Sequence, residues 1–294
     1  MKLLKGFTRK DVKEVFFRIA NAKSPGLDGY ASASFKASWE IVEEDVVEAI
    51  LEFFNNGKML KQLNATNIVL IPKVDCPENA SQYRPISCCN VLYKCISKML
   101  CSRLKEAVGH ILVDNQAAFV HGRSMVHNVL ICHDLLRHYG RKTTPRCLMK
   151  IDLQKAYDMG QLGLRQEDPT SPLLFVLVME YLTRTFNCIS LLPDFKFHPM
   201  CKNTKLTHLI FADDLMVFCK GEELTVTRVK EALDHFTTAT GLEANMEKSS
   251  IFIDGVTDQV KSNLLTITSY TLGEFPIKYL GMPLTSKKWN KLDC

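Results

Sequence analysis

The amino-acid sequence predicts an α+β fold. Three observations carry that reading. Apolar residues recur at helical spacing in residues 39–54 and 226–240. Short, mostly apolar runs, within 67–73 and on either side of Asp213 and Asp214 in 206–218, have the form of strands. The two kinds of segment mix without strict alternation, which sets the chain apart from a doubly wound α/β protein.

Taken in order, Thr8 is placed to cap a helix carrying Val12, Val15, Phe16 and Ile19 on one stripe. "NAKSPGLDGY" (21–30) follows as a turn-rich loop, then a second helix with Val42, Val46, Ile50 and Phe53 in line. "NIVLIPK" (67–73) is predicted as a buried strand ended by Pro72, and "YRPIS" (83–87) leads into a helix over 91–108. Residues 114–142 read as a loop and then a helix, and 146–158 begins as a strand. Behind the turn "QEDPTSP" a helical pattern covers 172–186. Two strands, 206–211 and 215–218, hinge at Asp213 and Asp214; the next helix, 226–240, stops at Gly241.

At 294 residues the chain has room for one large domain or two closely packed ones. With 46% hydrophobic and 23% charged residues it has the balance of an ordinary globular protein. A net charge of +5 permits a nucleic-acid partner without demanding one. The eleven cysteines include no CxxC pair and no zinc spacing, and their odd number suggests reduced thiols. "MKLLKGFTRKDVKEV" is too charged for a signal peptide, and the longest apolar run, 173–179, is too short to span a bilayer. The expectation is therefore an intracellular protein, nuclear or cytoplasmic, with no membrane partner.

Asp213 and Asp214 stand between two apolar runs, where like charges are costly to desolvate. Taken alone they read as a hairpin turn, and Asp152, at the end of "CLMKID", reads as a strand end. Taken together, carboxylates converging from neighbouring strands repel unless cations sit between them. Magnesium, a hard ion held by carboxylates and substrate phosphates, suits such a site.

"FADD" (211–214) resembles the Y/F-A-D-D box of reverse transcriptases. Nine segments stand in the order of the non-LTR (LINE-type) retrotransposon family, in the form common in plant genomes: "KSPGLDGY", "NIVLIPK", "YRPIS", "NQAAFVHGRSMVHNVL", "MKIDLQKAYD", "GLRQEDPTSPLLF", "FADD", "GLEANMEKS" and "KYLGMPL". The resemblance implies a right-hand polymerase with fingers and palm, the palm an antiparallel sheet flanked by helices. It divides the chain into an N-terminal helical extension (1–60), fingers (61–145), palm (146–255), and a primer-grip hairpin with the start of a thumb (256–294). The implied partners are an RNA template, a DNA primer and dNTPs; no protein partner is implied.

By the same resemblance Asp152, Asp213 and Asp214 would hold two Mg²⁺ ions, with Mn²⁺ a possible substitute. Lys248 would protonate departing pyrophosphate. Lys73 and Arg84 would contact the triphosphate, Gln166 the nucleotide and template, and Tyr157 would act as a steric gate against a ribose 2′-hydroxyl. Tyr279, Leu280 and Gly281 would grip the primer end. Several have a plainer reading: core aromatic for Tyr157, solvated charge for Lys73 and Arg84, and a structural Gly-Met-Pro turn at 281–283.

Two departures from the family pattern stand out. Glu167 replaces the glycine of R-Q-G-D-P, a position where glycine permits close approach or positive φ. Only the six residues 159–164 separate Asp158 from Arg165, where the family has several tens. Six residues span at most about 20 Å and cannot form a palm helix with further strands. Two functional classes stay open: a working RNA-directed DNA polymerase domain, and a catalytically silent copy that at most binds nucleic acid.

Overall fold

The computed structural model describes residues 5–112, 125–137, 139–140, 144–154 and 165–285. The chain divides into two compact units, residues 1–111 with 163–175, and residues 112–162 with 176–294.

The first unit is built from helices and one β-ribbon. Helix α1 (Arg9–Phe17) begins in a reciprocal cap: the Asp11 amide donates to Thr8 Oγ1 at 3.3 Å and the Thr8 amide to Asp11 Oδ2 at 2.8 Å. Its face of Val12 and Phe16, followed by Ile19, is buried. The core it joins comprises Trp39, Val46, Val47 and Ile50 of α3 (Trp39–Asn56) with Val91, Cys95, Ile96 and Met99 of α5 (Val91–Ile111). Two short helices absent from the sequence reading, α2 (Ser32–Ala37) and α4 (Lys61–Asn64), lie before and after α3. "KSPGLDGY" needs its first glycine for space. A Cβ on Gly26 would fall 1.8 Å from Asn90 Oδ1 and 2.5 Å from the Asn90 amide nitrogen.

Strands β1 (Thr66–Pro72) and β2 (Tyr83–Cys89) pair antiparallel, Thr66 opposite Cys89 and Pro72 opposite Tyr83. The expectation of a buried strand at 67–73 is overturned. Ile68, Val69, Leu70 and Ile71 are 64, 47, 58 and 46% exposed, so both faces of β1 are open. The strand assignment followed from β-branched residues; its burial does not, because among the described residues the sheet has two strands and β1 is exposed on both faces.

The second unit centres on a sheet of order β4-β5-β3-β7-β8, with β6 pairing on the end of β3. Its strands are β3 (Arg146–Gln154), β4 (His208–Phe211), β5 (Asp214–Cys219), β6 (Glu243–Ala244), β7 (Ser250–Asp254) and β8 (Thr271–Leu272). The antiparallel expectation holds from β4 to β7 and fails at the rim, where β8 runs parallel to β7. The reason is the connection: helix α9 (Asp258–Thr268) intervenes, and a helical crossover returns the chain in the same direction. One core joins Leu148 of β3, Met216 and Phe218 of β5 and Phe252 of β7 to Val129, Cys132, Leu135 and Leu136 of α6 (Met125–Leu136). A hairpin of β9 (Ile277–Tyr279) and β10 (Met282–Leu284) contributes Ile277, Tyr279 and Leu284 to it. The alternate residues of β3, Cys147, Met149 and Ile151, are buried as well, so the central strand is covered on both faces.

Helix α8 (Glu223–Thr240) buries Val226, Val229, Leu233 and Phe236, and ends at Gly241, whose φ of +73° closes a left-handed cap. Helix α7 (Ser171–Ser190) extends beyond the predicted 172–186 and is long and apolar enough, by length and composition, to cross a membrane. One stripe of it is core: Val176, Met179, Leu182 and Phe186 are fully buried, and Thr183 Oγ1 lies 3.0 Å from Nε2 of buried His208.

Candidate active site

Asp152 is the seventh residue of β3 and stands directly opposite Asp214, the first of β5. The Leu153 amide donates to the Asp213 carbonyl at 3.2 Å, which makes 153/213 a hydrogen-bonded pair and 152/214 the non-hydrogen-bonded pair beside it. Cα atoms in such pairs lie about 4.5 Å apart with side chains on one face, so like charges there destabilise the sheet. Asp213 occupies the two-residue turn between β4 and β5, where Phe211 and Asp214 close the hairpin. Ala212 has φ +52°, which a Cβ-bearing residue adopts at a cost of about 1–2 kcal/mol. The turn therefore holds a strained residue directly before the acidic pair.

Electrostatics agree with the register. Asp213 is exposed as a residue, yet neighbouring atoms desolvate its carboxyl and raise its pKa above the ordinary carboxylate value; Asp152 adds to this and Lys248 opposes it. Desolvation also raises Asp214, with Asp213 and Asp152 contributing and Lys150 and Lys248 opposing. Asp213 and Asp214 thus both sense the charge of Asp152. Among the described residues no three His, Cys, Asp or Glu side chains stand together as a ready-made ion cage. The donor set still suits magnesium, which takes hard oxygen ligands and completes its shell with substrate phosphate and water rather than an all-protein cage.

The segment "ANMEKS" is explained by its turn. Asn245, buried, accepts from the amides of Glu247 (3.1 Å) and Lys248 (3.3 Å) through Oδ1. The Asn245 amide donates to the Asp152 carbonyl at 2.7 Å, and the Asp152 amide donates to Ser249 Oγ at 3.2 Å. One turn thereby clamps the backbone of Asp152 on both sides and presents the exposed Lys248.

Sequence reasoning missed Lys150. It lies two residues before Asp152 and hence on the same face of β3; its Nζ donates to the Lys278 carbonyl at 2.8 Å. That bond ties the aspartate strand to the β9–β10 hairpin. Leu280 and Gly281, with φ +50° and +83°, form the hairpin's two-residue turn, as a type I′ connection requires. Tyr279 is fully buried and its phenol is pushed well above its ordinary pKa by that burial, while Leu280 packs on the same core. A period-two reading of "LMKID" would have put Lys150 beside Asp152.

The remaining candidates belong to the first unit. Lys73 follows β1 and donates from Nζ to the Ser81 carbonyl at 2.9 Å; Arg84 is exposed on β2, opposite Ile71. Because 71 and 73 alternate with 72, the two cations share one face of the ribbon. Gln166 accepts from the Ser87 amide through its carbonyl at 3.2 Å. In the turn "RQEDP", Arg165 is taken up by Asn64 (2.8 Å to the carbonyl, 3.0 Å to Oδ1) and the Tyr93 ring, whose centroid is 4.8 Å away. Buried Asp168, another residue that sequence reasoning passed over, accepts from Ser97, Thr170 and Ser171 and locks the turn. Glu167 adopts φ +74° and pairs with Lys23 at 3.1 Å. Tyr157 and the short connection 159–164 lie outside the described residues.

The family profile for reverse transcriptase (RNA-dependent DNA polymerase) matches residues 71–161 and 159–284. The chain belongs to the reverse transcriptase family. Relatives of this reverse transcriptase domain are retrotransposon proteins of the non-LTR kind. The chain is 28% identical over 152 residues to the transposon TX1 uncharacterized 149 kDa protein of Xenopus laevis, spanning 51% of this chain and 12% of that protein. It is 24% identical over 325 residues to the retrovirus-related Pol polyprotein from type-2 retrotransposable element R2DM of Drosophila melanogaster, covering 92% of this chain and 29% of the relative. With the type-1 element R2 polyprotein of Nasonia vitripennis, identity is 22% over 329 residues, 95% and 30% of the two chains. The chain thus spans less than a third of the relatives it matches.

Proposed function

We propose that this chain is the fingers–palm part of an RNA-directed DNA polymerase, adding dNTPs to a primer 3′-hydroxyl, in a copy impaired by its short connection after Asp158. The observation that carries the polymerase reading is the cross-strand pair of Asp152 and Asp214 with Asp213 in the adjoining turn. A repulsive carboxylate pair in a rigid sheet is an unfavourable choice for stability alone and a suitable one for cations. Bound there, magnesium ions would activate the primer hydroxyl and stabilise the leaving oxygen.

The chain's own residues divide the remaining work. Asp152, Asp213 and Asp214 would hold the ions beside the reacting phosphate. Lys248, fixed by the Asn245 turn, carries a proton to the departing pyrophosphate. Lys73 and Arg84, together on one face of the ribbon, bind triphosphate oxygens, Gln166 lies against nucleotide and template, and Tyr157 excludes a ribose 2′-hydroxyl. The β9–β10 hairpin, tied to β3 through Lys150, positions the primer terminus.

The impaired-copy reading rests on length. The family profile matches in two pieces that meet at residues 159–161. The alignment with the Drosophila relative runs over 325 positions but covers 92% of 294 residues, about 270, which leaves about 55 positions without a counterpart here. Placement errors at a catalytic site are expensive, because each loss of about 1.36 kcal/mol in transition-state stabilisation slows the reaction about tenfold.

Primer extension on an RNA template with dNTPs and Mg²⁺ tests both parts. Extension by the unmodified chain should be weak or absent, and should rise when a family-length segment is inserted after Met159 together with Glu167→Gly. Asp213→Asn should abolish whatever synthesis is gained. Robust extension by the unmodified chain would overturn the impairment; no extension from the repaired chain would overturn the polymerase reading.

A further inference from the structure

The β1–β2 ribbon has two long edges, and they are treated differently. The Lys73 amide donates to the Gln82 carbonyl at 2.7 Å, so 73/82, 71/84, 69/86 and 67/88 are the hydrogen-bonded pairs. Residues 83, 85, 87 and 89 of β2 then direct their backbone groups outward. That edge is closed: residue 85 is proline and has no N–H, and the Ser87 amide is taken by the Gln166 carbonyl at 3.2 Å.

On β1 the outward residues are Thr66, Ile68, Leu70 and Pro72, and among the described residues the sheet ends there with two strands. Natural edges are ordinarily blunted by charge, proline or a bulge. Residues 66–71, "TNIVLI", carry no charge, and proline appears only at 72. Apolar side chains flank the edge on both faces, with Ile68 and Leu70 at 64 and 58% exposure on one and Val69 and Ile71 at 47 and 46% on the other.

We propose that this edge pairs with β1 of a second copy of the chain, antiparallel and centred on Val69. The register is self-complementary. It sets Ile68 against the partner's Leu70, and Leu70 against the partner's Ile68, each a reciprocal pair of N–H···O=C bonds. Thr66 meets the partner's Pro72, which accepts through its carbonyl where it has no donor to offer. Every outward N–H of residues 66–72 thereby finds an acceptor. Charge is compatible too: Lys73 falls opposite the partner's Ala65, so no like charges face each other. Because the β2 edge is closed, pairing stops at two copies, giving one four-stranded sheet with a two-fold axis rather than a growing array. The patch is small, at the end of the range below about 1,200 Å² of total buried area, so the dimer is a weak one seen at high concentration.

The test is sedimentation velocity on the full 294-residue chain across a concentration series, with far-UV circular dichroism confirming the fold of each variant. The wild type should shift reversibly from monomer toward dimer. Leu70→Pro removes an outward donor and leaves the β1–β2 ladder intact, so it should stay monomeric. Val69→Lys and Val69→Glu place like charges on the two-fold axis and should each stay monomeric alone, yet form a dimer when mixed. Val74→Lys, which removes an exposed apolar residue off the edge, should leave dimerisation unchanged. A monomeric wild type, open-ended aggregates, dimers that survive Leu70→Pro, or no dimer on mixing the charge variants would each overturn the proposal.

Discussion

Glu167 offers a test of why the family pattern has glycine at its position. At φ +74° a Cβ crowds the backbone, which costs about 1–2 kcal/mol. Replacement by glycine removes that cost but returns about 0.4–1 kcal/mol through the greater freedom of the unfolded chain. It also removes the pair with Lys23, whose side chains are 55 and 51% exposed and whose contribution is therefore small. Alanine provides the control. Glu167→Ala loses the same ion pair and keeps the strain, so the ion pair cancels in the comparison of the two variants. Glycine should then be the more stable by about 0.8 kcal/mol, or about 2–3 °C in melting temperature. Trp39 lies in the core of the first unit, so its fluorescence in a Trp289→Phe background follows that unit through a urea titration. An alanine variant equal to or more stable than the glycine variant would refute the strain.

Other substitutions probe the carboxylates and the packing. Asp213 and Asp214 have folded-state pKa values raised above their unfolded ones, so the stability they contribute is present at low pH and is lost as pH rises through the folded values. Asp214→Asn should therefore raise the melting temperature at pH 7, the gain shrinking as pH falls toward about 3.9, the ordinary aspartate value; a lowered melting temperature at pH 7 would sink the repulsion argument. Gly26→Ala should destabilise the first unit by about 2–3 kcal/mol through its collision with Asn90, measured by the same urea titration. Ala212→Gly should stabilise the β4–β5 hairpin by up to about 1 kcal/mol, read as slower amide exchange at Asp214, which faces Phe211 across the turn.

How far the sequence revealed this protein depended on whether a feature is written locally. Helices α1, α3, α5, α7 and α8 were readable because an apolar stripe runs along each, with Thr8 capping the start of α1 and Gly241 closing α8. The FADD hairpin was readable because two apolar runs bracket a polar turn. Burial of β1 was not, since "NIVLI" fits a core strand and an uncovered ribbon equally, and the difference lies in what other segments supply. At the site, the carboxylates stood out as charge among apolar neighbours. Lys150 did not, because a lysine in a strand reads as a solvent-facing break until its partner, the Lys278 carbonyl, is known. Asn245, Ser249 and Asp168 act through backbone or buried hydroxyl contacts over long sequence distances, which no spacing rule reports.

The turn 245–249 has a consequence for kinetic dissection of this site. In the proposed mechanism Asp152 and Lys248 act at opposite ends of the chemistry, yet both take their position from Asn245 and the short loop it folds. They are mechanically one part. Replacing Asn245 would therefore detune carboxylate and ammonium simultaneously, and a double-mutant cycle joining Asn245 to either residue should depart from additivity although Asn245 touches no substrate. Natural variation should follow the same constraint, with changes in this loop drifting as a set rather than one residue at a time.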